Sequence, residues 1–211
     1  MSPTSRTRIA AMDEERCAGC CAGRPGDGVN RRTLLLGAGI AALAGSAAHA
    51  DDGDDPNAVA PPKADDLLIQ ATGGDAGKPI GVDAFTTPNT LIQAWAKDPK
   101  TGVVRNLSRL NRILLVKIDP AGMDDATRAR SVNGVVAYSD FCVHAGCWIE
   151  TYHAQENVII CHCHSSLYDP RHGAEVTGGP AKGPLAALSL KLVDGHFVAA
   201  APFVGHLGII T

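Results

Sequence analysis

Apolar positions along this chain come in short runs broken by turn residues, with little helical spacing between them. Arg112 to Ile118 (RILLVKI) is too short for a stable helix and apolar enough to be buried, so it predicts a strand. Val135 to Tyr138 predicts another. Trp148 to Tyr152 and Val158 to Ile160 flank a polar turn at Ala154 to Asn157 and predict a hairpin. Leu188 to Val193 and His196 to Ala200 flank Asp194-Gly195, a residue pair suited to the two-residue hairpin turn. Met123 to Arg130 fits one exposed helix. The pattern predicts an all-β fold of antiparallel strands with little helix.

N-terminal to this region the pattern changes. Residues 1–30 are polar, rich in Gly, Arg and Ser, and without apolar period, which predicts disorder. Arg31 and Arg32 then precede an Ala/Gly/Leu run to Ala48, followed by the small-residue site Ala48-His49-Ala50. A charged start, a short apolar stretch and such a site make an export signal. The paired arginines before a weakly hydrophobic run resemble the twin-arginine type, whose route carries folded proteins. The run is just short of the roughly 20 residues a membrane span needs. Cleavage after Ala50 is therefore expected, with a retained anchor as the alternative. Residues 51–66 are acidic and Pro-rich (Asp51-Asp52-Gly53-Asp54-Asp55-Pro56, then Pro61-Pro62) and read as a linker. The expected division is a tail with signal or anchor at 1–50, a linker at 51–66 and one β-domain at 67–211.

The chain has 211 residues, 45% of them apolar, which suits one ordinary core. Aromatic residues are only 4%, so small aliphatic side chains must build most of it. The formal charge of −3 hides an asymmetry, because residues 1–50 are basic and the remainder is acidic. An acidic domain argues against nucleic acid as a partner. The seven cysteines also divide. Cys17, Cys20 and Cys21 lie in the tail, on a segment expected to be removed, and are read as functionally silent. Cys142, Cys147, Cys161 and Cys163 lie in the domain, interleaved with histidines, and only they have the mixture expected of a metal site.

Two loops carry the chemistry: Cys142-Val-His144-Ala-Gly-Cys147 and Cys161-His-Cys163-His164-Ser-Ser166-Leu-Tyr168-Asp169. Cys142 and His144 are two apart, so both can point the same way from an extended loop. Cys163 and His164 are adjacent and tend to diverge, whereas Cys161 and His164 can converge across a tight turn. Cys147 and Cys163 are then spare. One spare cysteine per loop, in an exported protein, suggests a disulfide tying the loops together.

The C-x-H-x-x-C and C-x-C-H-x-S-x-Y-D pattern resembles the Rieske iron–sulfur proteins of the cytochrome bc and related complexes, over roughly residues 110–205. The resemblance implies an antiparallel β-sandwich with a small cluster-binding subdomain at about 135–185, and one [2Fe–2S] cluster. It implies that Cys142 and Cys161 bind one iron, that His144 and His164 bind the other, and that Cys147 and Cys163 form the bridging disulfide. Ser166 and Tyr168 match the family's hydroxyl donors to a bridging sulfide and a ligand sulfur. Such donors stabilise the more negative reduced state and raise the potential. Gly179-Pro180-Ala181 resembles the family's proline-containing loop beside the cluster.

Several positions depart from the bc-type pattern. Ala145 stands where those proteins usually carry leucine, His162 for proline and Ser165 for glycine. Lys182 interrupts the Gly-Pro-Ala-Pro run, and Asp169 to Gly179 is two residues longer than expected, closer to the small subunit of arsenite oxidase. The expected function is electron transfer with a redox partner, a cytochrome or a molybdenum subunit, and with quinol as one candidate donor. A ubiquinol–cytochrome c reductase subunit, an arsenite-oxidase-like small subunit and a structural zinc module are the alternatives. Zinc explains four ligands but neither the spare cysteines nor Ser166 and Tyr168. An oxygenase needs a further mononuclear iron domain, for which the chain has no room. The expected location is the periplasm, soluble or held at the membrane by the N-terminal segment. His153, His172, His196 and His206 read as ordinary surface or core residues, His162 as a solvent-facing loop residue, and Trp95 and Trp148 as core aromatics.

Overall fold

The computed structural model describes residues 55–87 and 89–211. The expected export signal, Cys17, Cys20 and Cys21, and the start of the expected linker lie outside the described residues.

In chain order the elements are α1 (Pro56–Val59), β1 (Leu67–Gln70), β2 (Leu91–Lys97), β3 (Ile113–Lys117), α2 (Asp125–Arg130), β4 (Val135–Ser139), β5 (Thr151–His153), β6 (Val158–Cys161), β7 (Ser166–Asp169), β8 (Glu175–Gly178), β9 (Ala187–Leu188), β10 (Leu190–Val193) and β11 (His196–Ala199). Seven strands form one antiparallel sheet in the order β10-β11-β1-β2-β3-β4-β9, and β5-β6-β7-β8 form a second. The fold is all-β and antiparallel, and the smaller sheet is the subdomain that carries the cysteine loops.

β3 shows how the two sheets share one chain. Ile113, Leu114, Leu115 and Val116 are all buried, so β3 feeds cores on both of its faces. Leu114 and Val116, with Val136 and Tyr138 of β4, pack against Ile149, which precedes β5, and against Tyr152, Ile159 and Tyr168 of the smaller sheet. Ile113 and Leu115 join Val135, Ala137, Leu188 and Phe197 in a second core on the opposite face. Each such aliphatic side chain contributes about 1.5–3 kcal/mol on burial. The Asp194-Gly195 hairpin forms as expected, with φ of 50° and 79° at the two turn residues.

Residues 56–66, expected as linker, are packed on the domain instead. Asp55 caps α1 by accepting the Asn57 N–H at 2.8 Å, and Ala58 is buried. Asn111 Nδ2 donates to the Val59 and Ala60 carbonyls at 3.1 and 2.7 Å. Acidic, Pro-rich composition signals irregular backbone, but it does not reveal that distant side chains will grip that backbone. No helix among the described residues is long and apolar enough to cross a membrane.

The long segment after β7 is tied down by the one helix that was expected. Asp124 caps α2, accepting the Thr127 N–H at 2.6 Å, and its own N–H donates to the Arg171 carbonyl. Thr127 is buried and its hydroxyl accepts the Gly173 N–H at 2.9 Å. Tyr138 donates to the Pro170 carbonyl at 2.7 Å. Burial pushes the Asp169 carboxyl up, but the Arg171 side chain and N–H, together with His172, outweigh it and hold the pKa at about 2. A depressed folded pKa stabilises above the unfolded value near 3.9 and loses that contribution as pH falls through about 2. Asp169→Asn is therefore expected to lower the urea midpoint at pH 6 to 7. The difference from the parent closes as pH falls from 4 to 2, which unfolding curves at stepped pH will check.

Candidate metal centre

The first loop joins β4 to β5 as one tight turn. Asp140 closes its base, with Oδ1 accepting the Ile149 N–H at 2.9 Å and its own N–H donating to the Arg112 carbonyl. Phe141 and Trp148 then pair across the loop. Inside that pair, the Cys142 N–H donates to the Cys147 carbonyl at 3.0 Å and the Gly146 N–H to the Cys142 carbonyl at 2.8 Å. Gly146 sits at φ +73°, and a Cβ there would come within 2.6 Å of the Phe141 ring. Glycine is required at that position.

The second loop joins β6 to β7. Cys161 ends β6 and Ser166 opens β7, where the two residues pair across the hairpin. Ser165 turns the chain at φ 58°, a conformation that favours glycine. His162 is exposed and its Nε2 lies 2.8 Å from Thr151 Oγ1, so it is tied to β5.

The loops are joined by a disulfide between Cys147 and Cys163. Such a cross-link contributes of order 3 kcal/mol for a ring of this size in the chain-entropy account. Cys142 and Cys161 remain as free thiols and both are buried. The Cys161 sulfur lies within 4.8 Å of both disulfide sulfurs. These three are no separate metal site, because two of them are bonded to each other. The His144 and His164 rings meet edge to face, with centroids 4.7 Å apart, the first half-buried and the second exposed. Tyr168, fully buried, brings its hydroxyl to 3.2 Å from Cys142 Sγ. Ser166 is fully buried as well.

Burial pushes the Cys142 thiol up. The Tyr168 hydroxyl, the His144 N–H, the Cys161 thiol and the Ala145 N–H more than reverse this, so Cys142 sits below the ordinary thiol range. Cys161 is pushed up to about 11, by burial first and then by Cys142. Two buried thiols side by side cannot both ionise easily unless a cation neutralises them. His144 Nδ1 and Ser166 Oγ are also buried with no hydrogen-bond partner. Orphaned buried polar atoms need a partner. An iron–sulfur cluster meets all of these demands, since its irons take thiolate and imidazole and its sulfides accept from hydroxyls. The donor set fits that group.

Residues 102–189 match the family model of the Rieske [2Fe-2S] domain. This stretch contains both loops, and the chain therefore carries a Rieske domain whose cofactor is one [2Fe–2S] cluster. Among curated proteins it is 34% identical over 89 residues to the cytochrome bc1 complex Rieske iron-sulfur subunit of Streptomyces lividans, covering 42% of this chain and 52% of that one. It is 34% identical over 97 residues to a protein named as a respiratory nitrate reductase Rieske subunit in Haloferax mediterranei, covering 45% and 43%. It is 40% identical over 73 residues to the cytochrome bc1 complex Rieske subunit of Corynebacterium glutamicum, covering 34% and 18%. The chain thus spans about half or less of the length of these relatives.

Some contributors carried no signal in the sequence. Arg109, Arg112 and Asp140 support the first loop, yet an arginine or aspartate beside a strand is ordinary on its own. Trp148, expected in the core, is half-buried between two guanidiniums, with Arg109 Cζ at 4.7 Å and Arg112 Cζ at 4.5 Å from its ring centre.

Proposed function

We propose that this chain is the iron–sulfur subunit of an exported oxidoreductase complex, passing single electrons between a donor and a redox-protein partner. The observation that carries this reading is the convergence of two buried free thiols and two imidazoles from loops locked by the Cys147–Cys163 disulfide. Cys142 and Cys161 hold one iron, and His144 and His164 the other. The cluster, when bound, supplies one-electron chemistry at a potential raised by its two imidazole ligands. The Tyr168 hydroxyl lies 3.2 Å from Cys142 Sγ and the buried, unpartnered Ser166 hydroxyl would be free to donate to the bound cluster; both would favour its reduced form. His164, the exposed imidazole, would present the bound cluster to a redox partner at the surface.

The partner is a cytochrome or a molybdenum subunit; relatives named for a cytochrome bc1 complex and a nitrate reductase support a partner within a redox complex. Ala145, small and exposed, gives the first loop a shallow tip, which favours docking of a protein over a deep quinol contact. The paired arginines of the N-terminal segment support export in folded form and a periplasmic site of action, soluble or membrane-attached.

Full-length protein purified from membrane and soluble fractions is expected to contain two irons per chain and to show the EPR signal of a reduced [2Fe–2S] cluster with imidazole ligands. Cys161→Ser and His144→Ala abolish the signal, whereas Tyr168→Phe keeps it at a lower potential. Zinc in place of iron, with no such signal, would overturn the reading in favour of a structural metal module.

A further inference from the structure

The first loop is gripped by a side chain from outside the motif. Arg109 lies in the short 3₁₀ turn Arg109–Asn111 that leads into β3. Its Nη2 donates to the Gly146 carbonyl at 2.8 Å. Its guanidinium also lies over Phe141, with Cζ 5.7 Å from the ring centre, and over Trp148 at 4.7 Å. One side chain therefore touches the residue before the loop, a peptide inside it and the residue after it. Among the described residues, no other side chain from outside the loop hydrogen-bonds a backbone atom of residues 142–147.

The Gly146 peptide is a sensitive place to hold. Its N–H is committed to the Cys142 carbonyl, and Cys147, which follows it, carries the disulfide. Fixing the Gly146 carbonyl therefore fixes the turn that links Cys142 to Cys147. The neighbouring cation differs in kind. Arg112 lies on Trp148 too, but its Nε has an acidic partner, the Asp140 carboxyl group at 2.9 Å. Among the described residues, no ion pair involves Arg109 and no carboxylate partners its positive charge.

We propose that Arg109 is a positioning residue for the redox reaction: it clamps the first cysteine loop through the Gly146 carbonyl, and its unbalanced charge beside that loop favours the reduced form. This rests on the cluster reading of the two loops. A fixed cation stabilises the more negative redox state, and a cation at the surface does so less as salt screens it. Arginine suits both tasks, because its planar fork stacks on aromatic rings while donating in its own plane.

The test is the reduction potential of the full-length, cluster-loaded protein by dye equilibration, at low and high ionic strength. Arg109→Gln keeps an amide donor but no charge, and Arg109→Lys keeps charge but neither fork nor stacking. Arg109→Gln is expected to lower the equilibrium constant for reduction about threefold at low salt, which at 59 mV per tenfold is close to 30 mV. The difference shrinks at high salt, Arg109→Lys restores most of the potential, and both variants release the cluster faster than the parent. Unchanged potential in Arg109→Gln, whatever its thermal stability, overturns the proposal. Absence of any [2Fe–2S] signal in the parent protein overturns the cluster reading instead, so the two failures are distinguishable.

Discussion

Gly179→Ala is expected to cost about 3 kcal/mol of stability and to leave little protein with a cluster, although it adds a single methyl group outside either loop. Gly179 sits at φ +81°, where an L side chain is strained. The larger penalty is spatial. An added Cβ would lie 2.3 Å from the Ser165 carbonyl oxygen and 2.6 Å from Ser166 Cα. Both obstacles are backbone, which cannot swing aside as a side-chain tip can. The collision is with the end of the second loop, between His164 and the buried Ser166, so relief must come from moving that loop or the Gly179-Pro180-Ala181 segment. Gly173→Ala provides the control. Gly173 also has positive φ, at +61°, but no atom lies within 4 Å of the position its Cβ would take. It carries only the conformational penalty, of order 1 kcal/mol. Urea unfolding and iron content of the two variants separate the terms, and equal losses would mean that close packing of Gly179 on the loop contributes nothing.

The same glycine shows where the sequence was legible. The cysteine and histidine spacings name their own chemistry, because a metal site needs particular donor atoms and few other structures need them in that pattern. Strands announced by apolar runs, β3, β4 and β6, and the Asp194-Gly195 hairpin are equally local signals. β2 gives only a weak signal, because the inward side of its alternation is Ile92, Ala94 and Ala96, two of them too small to mark a buried face. β7 carries no apolar run, since its inward residues are Ser166 and Tyr168, and β8 (EVTG) has none either. Both are held by pairing with a neighbour, which is a property of the folded chain. Arg109, Asp140 and the packing of residues 56–66 belong to the same class. Each depends on a partner 9 to 52 residues away, and nothing within a short window distinguishes such a residue from one facing water.

Asp65 and Asp66 carry that point into a measurement, for adjacent identical residues are expected to behave in opposite ways. Asp65 is exposed and pairs with Lys191 at the surface, so Asp65→Asn is expected to leave the unfolding midpoint unchanged within error. Asp66 is 2% exposed and faces Arg105, which is 1% exposed. Arg105 Nε and Nη2 donate to its two oxygens at 2.6 and 3.2 Å, and the Lys63 N–H donates to Oδ2 at 2.7 Å. Arg105 Nη1 also holds the Asn57 carbonyl at 3.0 Å, so one buried pair pins both ends of the stretch from 57 to 66. Truncating one member of such a pair leaves the other charge buried and unpaired, at a cost of about 3–5 kcal/mol. Arg105→Met is therefore expected to lose that much and to open residues 56–66 to protease. Because the charge left behind sets the cost, Arg105→Met combined with Asp66→Leu is expected to recover a large part of the loss, even though it removes more polar contacts than either change alone. If the double variant is as unstable as the sum of the two singles, the pair acts through its hydrogen bonds to the Asn57 carbonyl and Lys63 N–H and not through charge.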